Sequence, residues 1–476
     1  MTDVLIIGCG IVGASAAYEL SRYKLSVTAI DRLNDIAGET TRANSGIVHA
    51  GFDPEPGSVI AKFNVRGNER IRELCSKLDV PYKQNGSLVI GFNEKDKQTI
   101  KELYCRGLEH KVPGIEIISA DRARQMEPNL SGKITTALYA PSGAIVSPWE
   151  LAVALAETAA KNGAAFILNA EATGISRIDG GYLVTTSKGS FKTRAIVNAA
   201  GLYADDIHGF LRKPDFKIIP RRGQYYLLDK SAGDMVSRTI FQCPDKYGKG
   251  VLVTPTTHGN LLIGPSSEDV DYRGDVNTDT KTLQSILQTA RHSVPGINIR
   301  ENIRNFAGIR AVADTDDFIV REAEKNFYDL AGIKSPGLTA APAMAEELVR
   351  MMAASGIELS LKDRFINERR VVRFRYLSSE ERAELINKEP AYGRIVCRCE
   401  TVTEGEILEA FDSPLPPTTL DAIKRRCHAG MGRCQGGFCS PKVIALISKR
   451  FNLDPADVLK DRQGSYILIG EKGKKS

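Results

Sequence analysis

Hydrophobic residues open this chain as a solid run rather than an alternation. Val4-Leu5-Ile6-Ile7 is apolar at every position, the pattern of a strand covered on both faces. It meets Gly8, Gly10 and Gly13, and Ala14-Ser15-Ala16-Ala17-Tyr18-Glu19-Leu20 follows as a helical segment without proline. A second apolar run from Leu25 ends at Ile30, with Asp31 after it. The periodicity then predicts an amphipathic helix over 65–79, a strand over 86–91 and a polar-faced helix over 94–108. Ser147 reads as an N-cap, Pro148 as the first helical position and Glu150 as the residue closing a capping box, with a helix from Trp149 to Ala160. Segments 182–186 and 191–197 form a predicted hairpin around Lys188-Gly189. Between Phe216 and Ile303 the pattern shortens to strands and turns, among them 221–228 and 261–265, with His258-Gly259-Asn260 as a turn. The glycine-rich stretch 330–343 feeds a helix through Met352, and Ser378 to Glu381 opens a capped helix that stops before Pro390.

Strand, G-x-G-x-x-G, helix, strand and acid in that order are the opening of a dinucleotide fold. Gly8 allows the tight turn, Gly10 the approach of a pyrophosphate, and Gly13 close helix packing, so that phosphates meet amides such as those of Ile11 and Val12 at the helix N-terminus. Asp31 stands roughly 20 residues on, where a ribose-binding carboxylate belongs, and its charge argues against a 2′-phosphate. The ligand is NAD or FAD.

The 476 residues exceed one ordinary domain, and 42% hydrophobic with 26% charged content fits a globular protein with a large core. No apolar run reaches the roughly 20 residues of a membrane span, and the first strand begins without a basic leader region. A cytoplasmic location is expected, while a peripheral membrane contact stays open. The net charge of +6 comes partly from a basic tail at 471–475, and without basic-aromatic interleaving it gives no nucleic-acid signal. Nine cysteines, five of them between Cys397 and Cys439, suggest metal rather than disulfides in a reducing compartment.

The stretch Arg42-Ala43-Asn44-Ser45-Gly46-Ile47-Val48-His49-Ala50-Gly51, together with the opening motif, resembles the flavin-contacting segment of the D-amino-acid-oxidase-like FAD oxidoreductases. Residues 44–62 are similar to L-2-hydroxyglutarate dehydrogenases within that superfamily. The resemblance implies FAD as cofactor and places His49 by the isoalloxazine. It implies a cofactor lining of Gly8, Gly10, Ile11, Val12, Gly13, Asp31, Arg32, Thr41, Arg42, Asn44, Ser45, Gly46, Ala200, Gly201, Gly337, Leu338 and Thr339. Tyr225 and Arg222 would reach the substrate from the roofing strands. Alternation sends one side of each strand outward. Arg310, at a family position that fixes an anionic substrate, offers a fork that pairs carboxylate or phosphate at two points; a surface salt bridge is its plainer role.

At the far end, Cys397-Arg398-Cys399 is followed by Cys427 and by Cys434-Gln435-Gly436-Gly437-Phe438-Cys439. Four thiolates in C-x-C and C-x-x-x-x-C, with glycines between, suit an iron–sulfur cluster, and four cysteines also suit tetrahedral zinc. The segment resembles the [2Fe-2S] domain of bacterioferritin-associated ferredoxins, also found in large subunits of anaerobic glycerol-3-phosphate dehydrogenases. That likeness implies Cys397, Cys399, Cys434 and Cys439 as ligands, with Cys427 outside the pattern.

The expected fold is α/β: a doubly wound Rossmann-like FAD domain (1–80, 140–215, 305–360), an inserted α+β substrate domain (81–139, 216–304), a connector (361–392), a small helical [2Fe-2S] domain (393–460) and a tail (461–476). The expected function is oxidation of a small anionic alcohol, sn-glycerol 3-phosphate first, with 2-hydroxyglutarate or an amino acid as alternatives and a non-catalytic redox sensor or scaffold as another class. His49 is the expected base and Arg310 the anion clamp. Electrons would leave through the cluster to a partner, a second flavoprotein or electron-transfer subunit. Lys424-Arg425-Arg426 and Arg433 would set positive charge beside the cluster or form a solvated helix face.

Overall fold

Burial follows the opening pattern closely. In the computed structural model, which describes residues 1–244 and 250–470, the strand Thr2–Ile7 lies between two parallel neighbours, Val27–Ile30 and Gly189–Asn198, and its last four residues are buried. Both faces are covered, so no alternation is needed. Ala165–Ile167 extends the sheet beyond Val27–Ile30, and Phe327–Ala331 pairs in parallel with Gly189–Asn198. Antiparallel strands Ala172–Ile178, Gly181–Thr186 and Ile319–Glu324 complete it, so the expected hairpin is present. Helices Ile11–Leu20, Pro148–Lys161 and Gly337–Ala354 share one hydrophobic core with Val59–Lys77. The last of these starts a turn and a half before the predicted 65, because Ser58 caps it by accepting the Ala61 amide.

A second sheet draws on two separate stretches of chain. Ile218–Leu228 pairs antiparallel with Asn302–Ala313 along nearly its whole length, and Thr239–Gln242 pairs in parallel with Ser87–Gly91. Leu252–Pro255, Leu261–Gly264 and Thr136–Ala140 fill the order between and beyond them. The long strand Asn302–Ala313 holds this sheet to the first layer: a Cβ on Gly308 would lie 1.9 Å from the carbonyl oxygen of Ala43, so only glycine allows that approach. The C-terminal unit has its own core around Ile407, Ile423 and Ile447, with helices Glu404–Phe411, Leu420–Cys427 and Ser440–Phe451.

Two local expectations are corrected by the packing. Arg425 and Arg426 are buried, neither fringing the cluster nor forming a solvated face; both donate to Asp35 of the first layer, at 2.8 and 2.9 Å. A carboxylate lost from under two buried guanidinium groups would leave uncompensated charge, so the pair of arginines ties two units together. Asp461 adds a parallel tie, bonding Arg42 at 2.6 Å and Arg425 at 3.3 Å. Ser147 does start its helix with Pro148 first, but its hydroxyl caps nothing and Glu150 closes no capping box. The Glu150 carboxylate turns into a junction between units instead. The expected basic tail at 471–475 lies outside the described residues.

Candidate active site

The elements converge on one cleft of about 1230 Å³. Its lining takes in the glycine turn, Asp31 and Arg32, and also His49, Tyr225, Arg310 and Ser335. Gly8 has φ +106°, and a Cβ there would fall 2.4 Å from the Ala199 carbonyl oxygen; one on Gly13 would fall 1.8 Å from that of Gly8. The loop is thus drawn in against its neighbours and its helix amides open into the cleft. Thr41 accepts the Ile11 amide at 3.0 Å, and Asp31 accepts those of Cys9 and Leu33 at 2.7 and 2.9 Å, which fixes the turn. Asn44 donates to the Thr41 carbonyl and accepts the Gly46 amide, at 2.7 and 2.8 Å, and so shapes the loop that leads to His49.

Of the expected cofactor residues, Gly8, Gly10, Ile11, Val12, Asp31, Arg32, Thr41, Asn44, Ser45, Ala200, Gly201, Gly337 and Leu338 line the cleft. Gly13, Arg42, Gly46 and Thr339 stand behind it. Thr339 still bears on the site, since its hydroxyl accepts the His49 amide at 2.9 Å and donates to the Ile47 carbonyl at 3.3 Å. A cleft of that size, lined by a glycine turn with its helix amides and by an imidazole and a guanidinium, has the room and donors to hold FAD, with its phosphates at the helix N-terminus.

In the same cleft, His49 Nε2 lies 3.2 Å from Ser335 Oγ, and its ring is 6.0 Å from that of Phe241. Tyr225 stacks on Phe306 at 4.8 Å and bonds Ser45 through its hydroxyl; burial raises its pKa. Arg310 is mostly buried and donates to backbone carbonyls only, Ser266 at 2.6 Å and Arg222 at 3.3 Å among them. Among the described residues it pairs with no carboxylate, and burial lowers its pKa. Arg310 thus lines the cleft as a largely desolvated guanidinium with no carboxylate counter-ion among the described residues. The expected place of Arg222 in the pocket is corrected: strand alternation turns it to the opposite face, where it pairs with Glu268 and Asp275 at 2.8 Å each. Arg221 and Tyr225 share the cleft side of that strand. Ser335 was readable only as part of a glycine-rich turn, because its relation to His49 spans 286 residues.

A second polar cluster, absent from the sequence reading, joins three parts of the chain. Glu150 Oε1 lies 3.0 Å from His258 Nε2 and 2.8 Å from His428 Nε2, and the two imidazoles sit 3.7 Å apart. His258 is therefore more than a turn residue. Three candidate ligand atoms lie within 4.8 Å of one another, yet the donors do not suit a metal. Arg375 approaches His258 Nδ1 at 2.9 Å and can only donate, so Nδ1 accepts and Nε2 carries the proton, 3.0 Å from the Glu150 carboxylate. Burial, with His258 beside it, lowers His428 from the ordinary 6.5 to about 3. His428 is thus neutral when folded and takes a proton only on unfolding below 6.5, so its stabilising contribution is whole above that pH and is lost as pH falls toward 3. Glu150, Arg373 and Arg375 are the charged groups around it. Lowering the pH from 7 to 5 should cost wild type about 2 kcal/mol more than His428→Asn in urea unfolding. Equal losses in both proteins would remove His428 as the source.

In the C-terminal unit the four expected cysteines fall into two pairs. Cys399 and Cys434 sulfurs are 3.7 Å apart, and Cys439 hydrogen-bonds to Cys397. That bond, with the amides of Gly430 and Glu400, draws the Cys397 thiol down to about 6. Gly432 packs on Cys399, where a Cβ would be 2.2 Å from the cysteine's own. Two sulfur pairs with amides aimed at them fit two irons, two thiolates on each, better than one tetrahedral ion. Cys427 stands apart, its thiol donating to the Ile423 carbonyl at 3.3 Å.

Comparison with known proteins agrees with both sites. The family model "FAD dependent oxidoreductase" matches residues 3–351, and "BFD-like [2Fe-2S] binding domain" matches 395–449. A glycerol 3-phosphate dehydrogenase from Caloramator mitchellensis is 46% identical over 99% of this chain and 98% of its own. The FAD-bound L-alpha-glycerophosphate oxidase of Mycoplasma pneumoniae superposes with a TM-score of 0.74 at 34% identity, over 77% of this chain and 98% of that one. An L-2-hydroxyglutarate dehydrogenase from Indibacter alkaliphilus is 26% identical over 71% of this chain and 95% of its own. The chain is an enzyme with FAD and a [2Fe-2S] cluster as cofactors, and it belongs to the FAD dependent oxidoreductase family.

Proposed function

We propose that the protein oxidises sn-glycerol 3-phosphate to dihydroxyacetone phosphate and passes the electrons through its cluster to a partner protein. The observation that carries the substrate is Arg310, a largely desolvated guanidinium without a carboxylate partner among the described residues, lining the same cleft as His49. Likeness to the dehydrogenase from Caloramator over nearly the whole chain favours glycerol 3-phosphate over 2-hydroxyglutarate. In the cleft, Arg310 binds the phosphate at two points and holds the substrate's hydroxyl toward His49. His49 Nε2 takes the hydroxyl proton, and Ser335 Oγ at 3.2 Å orients that ring. FAD, when bound, supplies the acceptor for the hydride that the carbon loses. Tyr225 and Phe306 close the wall with stacked rings and limit water.

The exit route draws support from chain length. The oxidase is matched over 98% of its length by 77% of this chain, which leaves it no counterpart of the cluster unit, whereas the dehydrogenase matches to 98% with 99%. A unit added behind a shared flavin fold is placed to take the electrons elsewhere. Anaerobic mixing with glycerol 3-phosphate, L-2-hydroxyglutarate, lactate, proline and sarcosine should bleach the flavin with the first at far lower concentration than with the others. Preference for 2-hydroxyglutarate would replace the substrate, and bleaching by none would end the reading.

A further inference from the structure

We propose that the face around Phe438 is the docking surface for an acidic, soluble one-electron carrier protein. This deepens the exit route above and rests on it. Phe438 is 83% exposed, an unusual position for a large aromatic side chain, and it stands in the loop between the ligands Cys434 and Cys439. Cys399, paired with Cys434 at 3.7 Å, is exposed as well, so the cluster edge comes to the surface beside the aromatic ring. Electron tunnelling weakens steeply with distance, and this is where a partner's redox centre can come nearest.

The fringe of that face is cationic. Arg398 and Lys442 are exposed, and Arg304 reaches the same loop, donating to Gln435 at 3.2 Å. Arg433 is 67% exposed at its side chain and already answers Asp229 and Glu301, at 2.6 and 3.2 Å. Glu400, buried beneath Cys399, is neutralised by Lys230 at 2.9 Å and Arg375 at 2.6 Å. The unanswered charge on the face is positive. A permanent subunit would cover on the order of 2,000 Å² or more of largely apolar surface. One aromatic ring inside a charged fringe suits a smaller, transient contact, steered by charge and sensitive to salt. A single electron passes to the carrier, reducing it by one, and no bond or proton changes.

The test uses the holoenzyme reduced with dithionite, so that it does not depend on the substrate. Stopped-flow reoxidation and calorimetric Kd would be measured with an acidic plastocyanin and with a basic cytochrome c, at low and high salt. Plastocyanin should bind more tightly and react faster, with both advantages falling about tenfold as salt screens the fringe. Arg398→Glu with Lys442→Glu should reverse the preference, and Phe438→Ala should weaken binding of plastocyanin several-fold without changing its salt dependence. Equal behaviour toward both carriers, an unaltered preference in the charge-reversed protein, or a dimer in sedimentation that Phe438→Ala dissolves would each overturn the proposal; in the last case a second copy is the occupant. Failure of glycerol 3-phosphate to bleach the flavin would sink the proposed substrate alone.

Discussion

Arg310→Ala is expected to raise the glycerol 3-phosphate concentration that half-bleaches the flavin by about 100-fold, the equivalent of about 3 kcal/mol for a buried, doubly hydrogen-bonded charge pair. The guanidinium has no carboxylate to satisfy among the described residues, so its removal strands nothing in the free enzyme; the carbonyls of Ser266 and Arg222 lose a donor but stand near the cleft. The loss should therefore fall on binding. Arg310→Lys should recover only part of it, since an ammonium is a point charge without the two-point fork. The flavin spectrum and FAD content of both variants should match wild type, because the bonds of Arg310 go to the carbonyls of Arg221, Arg222 and Ser266 and not to the glycine turn. An unchanged concentration dependence would take the anion away from Arg310, and Arg221, on the same side of the neighbouring strand, would be the next residue to replace.

The second large effect is expected at the cluster. Cys434→Ser should leave bleaching of the flavin by substrate at its normal rate while turnover with a one-electron carrier protein falls at least about 100-fold, since the remaining route from a buried flavin must cross the protein. The two half-reactions separate because His49, Tyr225, Arg310 and Ser335 line the cleft, and among the described residues that lining includes none from the C-terminal unit. Cys427→Ser serves as the control. That sulfur bonds to the Ile423 carbonyl inside its own helix, and burial raises its thiol pKa to about 12, so it should keep both the visible spectrum and the turnover. If Cys434→Ser turned over with the carrier at the normal rate, the cluster would be structural and the exit route wrong.

Local sequence carried much of the first layer. Val4 to Ile7, the three glycines and the unbroken helix behind them act on neighbours a few residues away, where steric rules and hydrophobic pattern have direct force. The two cysteine motifs were legible for the same reason, with two cysteines two residues apart and two five apart, but the pairing of Cys399 with Cys434 and of Cys397 with Cys439 came only with the fold. Helix ends were less so. Ser147, Pro148 and Glu150 satisfy every local rule for a capping box, yet tertiary bonds from His258 and His428 claim the carboxylate.

What the sequence determined by itself is the dinucleotide fold, the four-thiolate unit and the residue types that the cleft needs, because each follows from short-range geometry or from one side chain's chemistry. Strand alternation limited Tyr225 and Arg222 to opposite faces, but only the pairing of Ile218–Leu228 with Asn302–Ala313 decided which face sees the cleft. The same pairing set Arg221 opposite Arg310 and left Arg222 to its acids. The basic run at 424–426 reads as charge beside the cluster or as a solvated face, and the fold instead brings Asp35 to Arg425 and Arg426 from 390 residues away. His428 met Glu150 across 278 residues. Ion pairs and hydrogen bonds of that span are fixed by how separately formed units dock, and no periodicity along the chain encodes a partner that docking supplies.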